Sequence, residues 1–153
     1  MRRWILGTTP DEEDHDSTVT ASQRAVQLVR IAADAAADKL ADGIIAYDVS
    51  EQLVITDAFV LCSASNDRQV RAILEEVERR LRDEAQAKPV RREGEREGRW
   101  VLLDYLEIIV HIQHEEDRLF YTLERLWKDC PQIELPESVN AHAAQRVRAG
   151  EAP

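Results

Sequence analysis

The chain has 153 residues, 44% of them hydrophobic, which suffices for one core in one domain. Thirty acidic and twenty basic side chains leave a net charge of -10. That sign argues against direct binding to a phosphate backbone, where a Lys/Arg-rich face is the usual footprint, and favours a basic protein partner or simple solubility. No apolar run approaches the ~20 residues that cross a bilayer, and the Trp4–Leu6 cluster is too short for a signal-peptide core. Cys62 and Cys130 lack CxxC spacing and read as buried apolar filler in a reduced protein, so the expected location is the cytoplasm.

Residues 1–19 carry Gly7, Pro10 and the acidic run Asp11, Glu12, Glu13, Asp14 and Asp16, and read as a disordered acidic arm. The domain is expected over residues 20–130. Thr20-Ala-Ser-Gln23 matches a capping box, followed at helical spacing by Val26, Val29, Ala33, Ala36 and Leu40, with Gly43 as the stop. Ile44–Val49 and Leu53–Cys62 read as strands joined around Ser50-Glu51-Gln52. Ser65-Asn66-Asp67 caps a second helix whose stripe is Val70, Ile73, Leu74, Val77 and Leu81. Pro89 and the Gly94–Gly98 pair bracket a short strand at Val90–Arg92. WVLLDY and EIIVHIQ then form two strands with almost no spacer. They pass into a helix from about Glu115 to Lys128, which starts on acids and buries Leu119, Phe120, Leu123, Leu126 and Trp127. Residues 131–153, with Pro131, Pro136 and Pro153, read as a flexible C-terminal tail. The order helix, hairpin, helix, short strand, hairpin, helix predicts an α/β fold: a single domain with a mixed four- or five-stranded sheet and helices packed on it.

Catalytic sets are weakly supported. Cys62, Ser63 and His111 exist without a G-x-S-x-G elbow, and Asp48, Asp57 and Asp104 are scattered over separate strands rather than clustered for two-metal chemistry. His111, His114 and Asp117 share a three-residue spacing, but strand geometry sends the two histidines to opposite sides, so no metal is expected. A phosphate loop at Cys62-Ser-Ala-Ser-Asn66 lacks the glycine that close backbone approach requires.

Three passages carry a family resemblance: the Ala-rich first helix, IIAYDVSEQLVITDAFVLCSASNDRQVRAILEEVE, and REGEREGRWVLLDYLEIIVHIQHEEDRLFYTLERLW. Together they resemble the ribosomal silencing factor (RsfS/Iojap) family from about Thr20 to Cys130. The resemblance implies a nucleotidyltransferase-like plan without catalytic residues, with Ala64 where the family commonly carries glycine. It implies a non-enzymatic factor with no cofactor. Such a factor would bind the large ribosomal subunit through its universal protein fourteen, block joining of the small subunit and repress translation under nutrient limitation. A homodimeric interaction module and a vestigial nucleotidyltransferase-like enzyme are the alternatives. The partner-binding candidates are Trp100 and Tyr105 as aromatic anchors, Asp57 and Asp104 as acidic contacts, and Arg118 and Tyr121 on the last helix. Alternation places Trp100, Leu102 and Asp104 on one sheet face and Val101, Leu103 and Tyr105 on the other, so the two anchors cannot share a face.

Overall fold

The structure is a computed structural model that describes residues 19–121 and 123–140, with the side chains of Phe120, Tyr121 and Leu123 left out of that description. The expected arm up to residue 18, and the tail from residue 141, lie outside the described residues.

Helix α1 spans Gln23–Asp38, and its N-cap is Ser22, whose hydroxyl accepts the Ala25 N–H at 3.0 Å. Thr20, the expected cap, instead gives its N–H to the Asp48 carboxylate. The buried carboxylate needs such donors to offset its desolvation, and the Thr20 hydroxyl lies 2.7 Å from the Ser50 hydroxyl rather than at the helix terminus. The buried face of α1 is almost entirely alanine with Leu28 and Val29, which lets the helix lie close to its neighbours. Leu40, expected on that stripe, lies past the helix at φ 62 and is exposed; it, not Gly43, makes the left-handed stop.

Five strands follow, β1 at Asp42–Asp48, β2 at Ala58–Ala64, β3 at Arg91–Glu93, β4 at Trp100–Asp104 and β5 at Ile108–His114. They form one mixed sheet in the order β1-β2-β5-β4-β3. The β2–β5 pair is parallel and the other three are antiparallel. Helix α2, Asp67–Ala85, supplies the length that the parallel crossover needs, and its expected stripe is buried throughout. Its N-cap is Asn66, which accepts the Gln69 N–H at 2.8 Å.

Strand β2 starts five residues later than its β-branched sequence indicates. The Val49 carbonyl accepts from both Gln52 and Leu53, and the Val49 N–H closes the hairpin on the Asp57 carbonyl. Leu53–Asp57 is therefore left as loop, with Val54 and Ile55 in solvent. High β-propensity does not make a strand where no neighbouring strand offers a ladder.

Helices α1 and α2 cover one sheet face and bury Val60, Cys62, Val101, Leu103, Tyr105 and Ile112. The other face is covered only in part. Helix α3, Glu115–Tyr121, gives way to a 3₁₀ turn at Leu123–Arg125, so the predicted helix to Lys128 is cut short. Leu119 and Leu126, expected in the core, are exposed, whereas Trp127 returns to the sheet and meets Phe59 edge-on at 5.1 Å. The break re-aims the chain and puts Trp127 rather than Leu126 over Phe59.

Residues 131–140 are not the loose start of a tail. Asp48 N–H donates to the Pro131 carbonyl, Ile133 N–H donates to the Ala46 carbonyl, and Val139 is buried against Ala33 and Ala37 of α1. The segment covers the otherwise unpaired edge of β1, a common way to blunt an exposed strand. At the opposite end, Gly94 holds φ +81 with a would-be Cβ 2.0 Å from the Trp100 carbonyl oxygen. Gly94→Ala is expected to destabilise the fold by about 2 kcal/mol or more. A urea midpoint equal to that of the parent would show that the β3–β4 connection rearranges freely.

Candidate functional site

Strand β4 alternates as expected. Val101 and Leu103 go under the helices, while Trp100, Leu102 and Asp104 point to the second face. Opposite them on β5 stand Gln113, His111 and Ile109. Because α3 packs on β5 and β2, the β4 margin of this face is left open, with Trp100 and Leu102 half-buried. The Trp100 Nε1–H donates to His111 Nδ1 at 3.1 Å, and the Phe59 ring meets His111 edge-on at 5.3 Å. With Trp127 against Phe59, four rings run in file across the face from its open margin to its covered side.

Accepting at Nδ1 requires a neutral imidazole with its proton on Nε2. Burial supplies that state, holding the His111 pKa down to about 4. Between pH 4 and the unfolded value near 6.5, the unfolded chain therefore binds the extra proton. Stability contributed by this group is complete above about 6.5 and falls as pH drops towards 4, a loss of about 3 kcal/mol in all. Urea unfolding of the parent and of His111→Gln at pH 7.5, 5.5 and 4.5 checks this. Parallel loss in the two proteins would mean that His111 is not held neutral.

The other predicted contact residues are placed differently from one another. Tyr105 is buried beneath the helices, with its hydroxyl pKa pushed up by desolvation, and cannot serve as a surface anchor in this fold. Asp104 is buried too. It accepts the Leu106 N–H at 2.9 Å and pairs with Arg91 at 3.0 Å, so its charge is largely committed within the chain. Asp57 accepts the Ser22 N–H at 2.9 Å where α1 begins. Arg118 is folded inward: it bonds Glu124 at 3.1 Å and the Asp42 carbonyl at 3.4 Å, and its guanidinium fills the space beside Gly43. Tyr121 belongs to α3, and its side chain lies outside the described residues. The structure thus brings Asp57, Asp104 and Tyr105 to one end of the sheet and leaves Trp100 at the other end of β4. Leu102, set on the Trp100 face by strand alternation but absent from the predicted contact residues, stands beside Trp100, and its two-residue spacing from that tryptophan was the available signal.

The chemistry-bearing alternatives are otherwise engaged. His114 Nδ1 accepts the Glu116 N–H at 3.2 Å as α3 begins, whereas His111 faces Trp100. Among the described residues no group of three His, Cys, Asp or Glu side chains is placed to hold a metal ion. The Ser63–Asn66 loop is filled by its own caps, since the Gln69 side chain accepts from the Ser65 N–H at 2.8 Å. Burial raises the Cys62 thiol to about 12, away from nucleophilic use. No helix among the described residues is long and apolar enough to cross a membrane.

The family model described as "Ribosomal silencing factor during starvation" matches residues 22–152. The ribosomal silencing factor RsfS of Bacillus subtilis is 37% identical over 113 residues, which are 74% of this chain and 95% of that protein. The chloroplastic protein Iojap of Zea mays is 32% identical over 83 residues, 53% of this chain and 35% of that longer protein. A crystal structure from Chromobacterium violaceum superposes with a TM-score of 0.64 at 29% identity, covering 67% of this chain and 84% of the other. One from Bacillus halodurans gives 0.61 at 33% identity, covering 74% and 100%. With that family model matching residues 22–152 and the Bacillus subtilis protein 37% identical over 74% of this chain, the chain belongs to the ribosomal silencing factor family.

Proposed function

We propose that this protein docks on the large ribosomal subunit through its universal protein fourteen and keeps the small subunit from joining, so that translation falls when nutrients are limiting. The open β4 margin carries the reading: a half-buried tryptophan and leucine on a rigid strand, set in a chain of net charge -10. Aromatic anchors on a preorganised surface are what protein–protein contacts concentrate their energy on. The acidity steers the domain towards a basic protein and away from the surrounding phosphate. Exclusion needs bulk and affinity at the joining face, with no reacting group.

Sedimentation tests the proposal. The protein is expected to co-migrate with isolated large subunits, to be absent from joined ribosomes, and to lower the yield of joined ribosomes when added in excess. Crosslinking through the β4 margin then identifies the ribosomal protein touched. Undiminished joining at saturating protein would overturn the mechanism, and a crosslink to a different ribosomal protein would overturn the partner. The work of such a factor lies in the cytoplasm, where subunits join.

A further inference from the structure

One end of the sheet carries exposed apolar side chains that the described residues leave uncovered. Val54 and Ile55, in the loop between β1 and β2, are 102% and 71% exposed, and Leu106, in the turn between β4 and β5, is 57% exposed. The two loops leave neighbouring strands and are tied by the Asp57 N–H to Glu107 carbonyl bond at 3.0 Å. Both loops therefore lie at the same end of the sheet, and grouped rather than single exposed apolar side chains are what distinguishes an interaction surface from ordinary exposure.

Leu106 sharpens the point. Only Leu106 and Glu107 separate Tyr105 from Ile108, whose backbones pair across the turn, and Leu106 sits at φ 75. The first position of a two-residue hairpin turn with positive φ suits glycine. A branched side chain there is strained and gains nothing from the core. Folding alone accounts for neither the leucine nor the two exposed β-branched residues across from it.

The charges around these side chains say what fits them. Glu51 and Glu107 are exposed in the same two loops, and Asp57 lies beside them. A second copy of this acidic chain would set like charges against each other there, and an RNA backbone would be repelled. We infer that Val54, Ile55 and Leu106 form a second docking element, for an apolar spot rimmed by Lys or Arg on the same basic ribosomal protein that receives the β4 margin. This inference rests on the function proposed above. It extends the contact from the sheet face around to the sheet end.

Purified large subunits and full-length protein test it. Ile55→Ser, Val54→Ser and Leu106→Gly are compared with the parent for subunit affinity and for thermal midpoint. The expected result is a loss of affinity of about tenfold for Ile55→Ser and about fivefold for Leu106→Gly, with the Leu106→Gly midpoint raised. A merely structural leucine would give the rise in midpoint with no loss of binding. Unchanged affinity in all three variants, while the parent binds, overturns the second docking element and leaves the function standing. A parent that ignores large subunits overturns both together. A self-association that Ile55→Ser abolishes while subunit affinity is kept also overturns it, and assigns these side chains to a second copy.

Discussion

Trp100→Ala is expected to weaken binding to the large subunit by about 30-fold or more, the roughly 2 kcal/mol that truncating an aromatic anchor costs. Trp100 stands at the open margin of the sheet, at the end of a file of rings, and its Nε1–H is the donor to His111. Truncation removes the contact surface and also leaves the buried His111 nitrogen without its partner, so some stability is lost as well, about 1–3 kcal/mol. Trp100→Phe separates the two effects. It loses the same hydrogen bond but keeps most of the ring area, so it should share the stability loss and retain more of the affinity. Binding by calibrated sedimentation, beside urea unfolding, gives both quantities. Parental affinity in a folded Trp100→Ala protein would move the docking surface off the β4 margin.

The second large effect concerns the fold alone. Asp48 is 1% exposed at the end of β1, and four donors lie within 3.0 Å of its carboxylate. They are the Thr20 and Ala21 N–H groups, and the Ser50 N–H and hydroxyl at 3.0 and 2.6 Å. It thereby pins the entry to α1 and the turn after β1 to the same point. Asp48→Ala leaves three backbone donors unpaired and should cost about 3 kcal/mol or more, since hydrogen bonds to a charged acceptor are worth more than neutral ones. Asp48→Asn retains one acceptor oxygen and should fall between. A urea-derived loss below about 1 kcal/mol for the alanine variant would show that water replaces the carboxylate without penalty.

Element type and order were legible because they depend on local periodicity. The α2 stripe from Val70 to Leu81 reads correctly from spacing alone, as does the alternation of WVLLD that sends Trp100 and Leu102 to one face. Boundaries were less legible where a long-range hydrogen bond overrides local preference. Asp48 draws Thr20 away from capping α1, and Val49 pairing with Asp57 removes Leu53–Asp57 from β2. The exposure of Leu119 and Leu126 could not be read at all. Their helical spacing with Phe120, Leu123 and Trp127 assumed one continuous helix; the break after α3 rotates Leu126 out of phase, while Leu119, inside α3, lies on a side of that short helix that no described segment covers.

The candidate contact residues divide the same way. By itself the sequence determined that the body is acidic, that its strands and helices alternate as they do, and that an aromatic sits on a strand. Only the tertiary structure decided which candidates reach solvent. Tyr105 is covered because α1 and α2 pack on its face, Arg118 is turned inward by Glu124 and the Asp42 carbonyl, and Trp100 stays accessible because α3 stops short of β4. The physical reason is that a side chain's face follows from a local repeat of two or 3.6 residues, whereas its exposure follows from which distant segment comes to lie over that face.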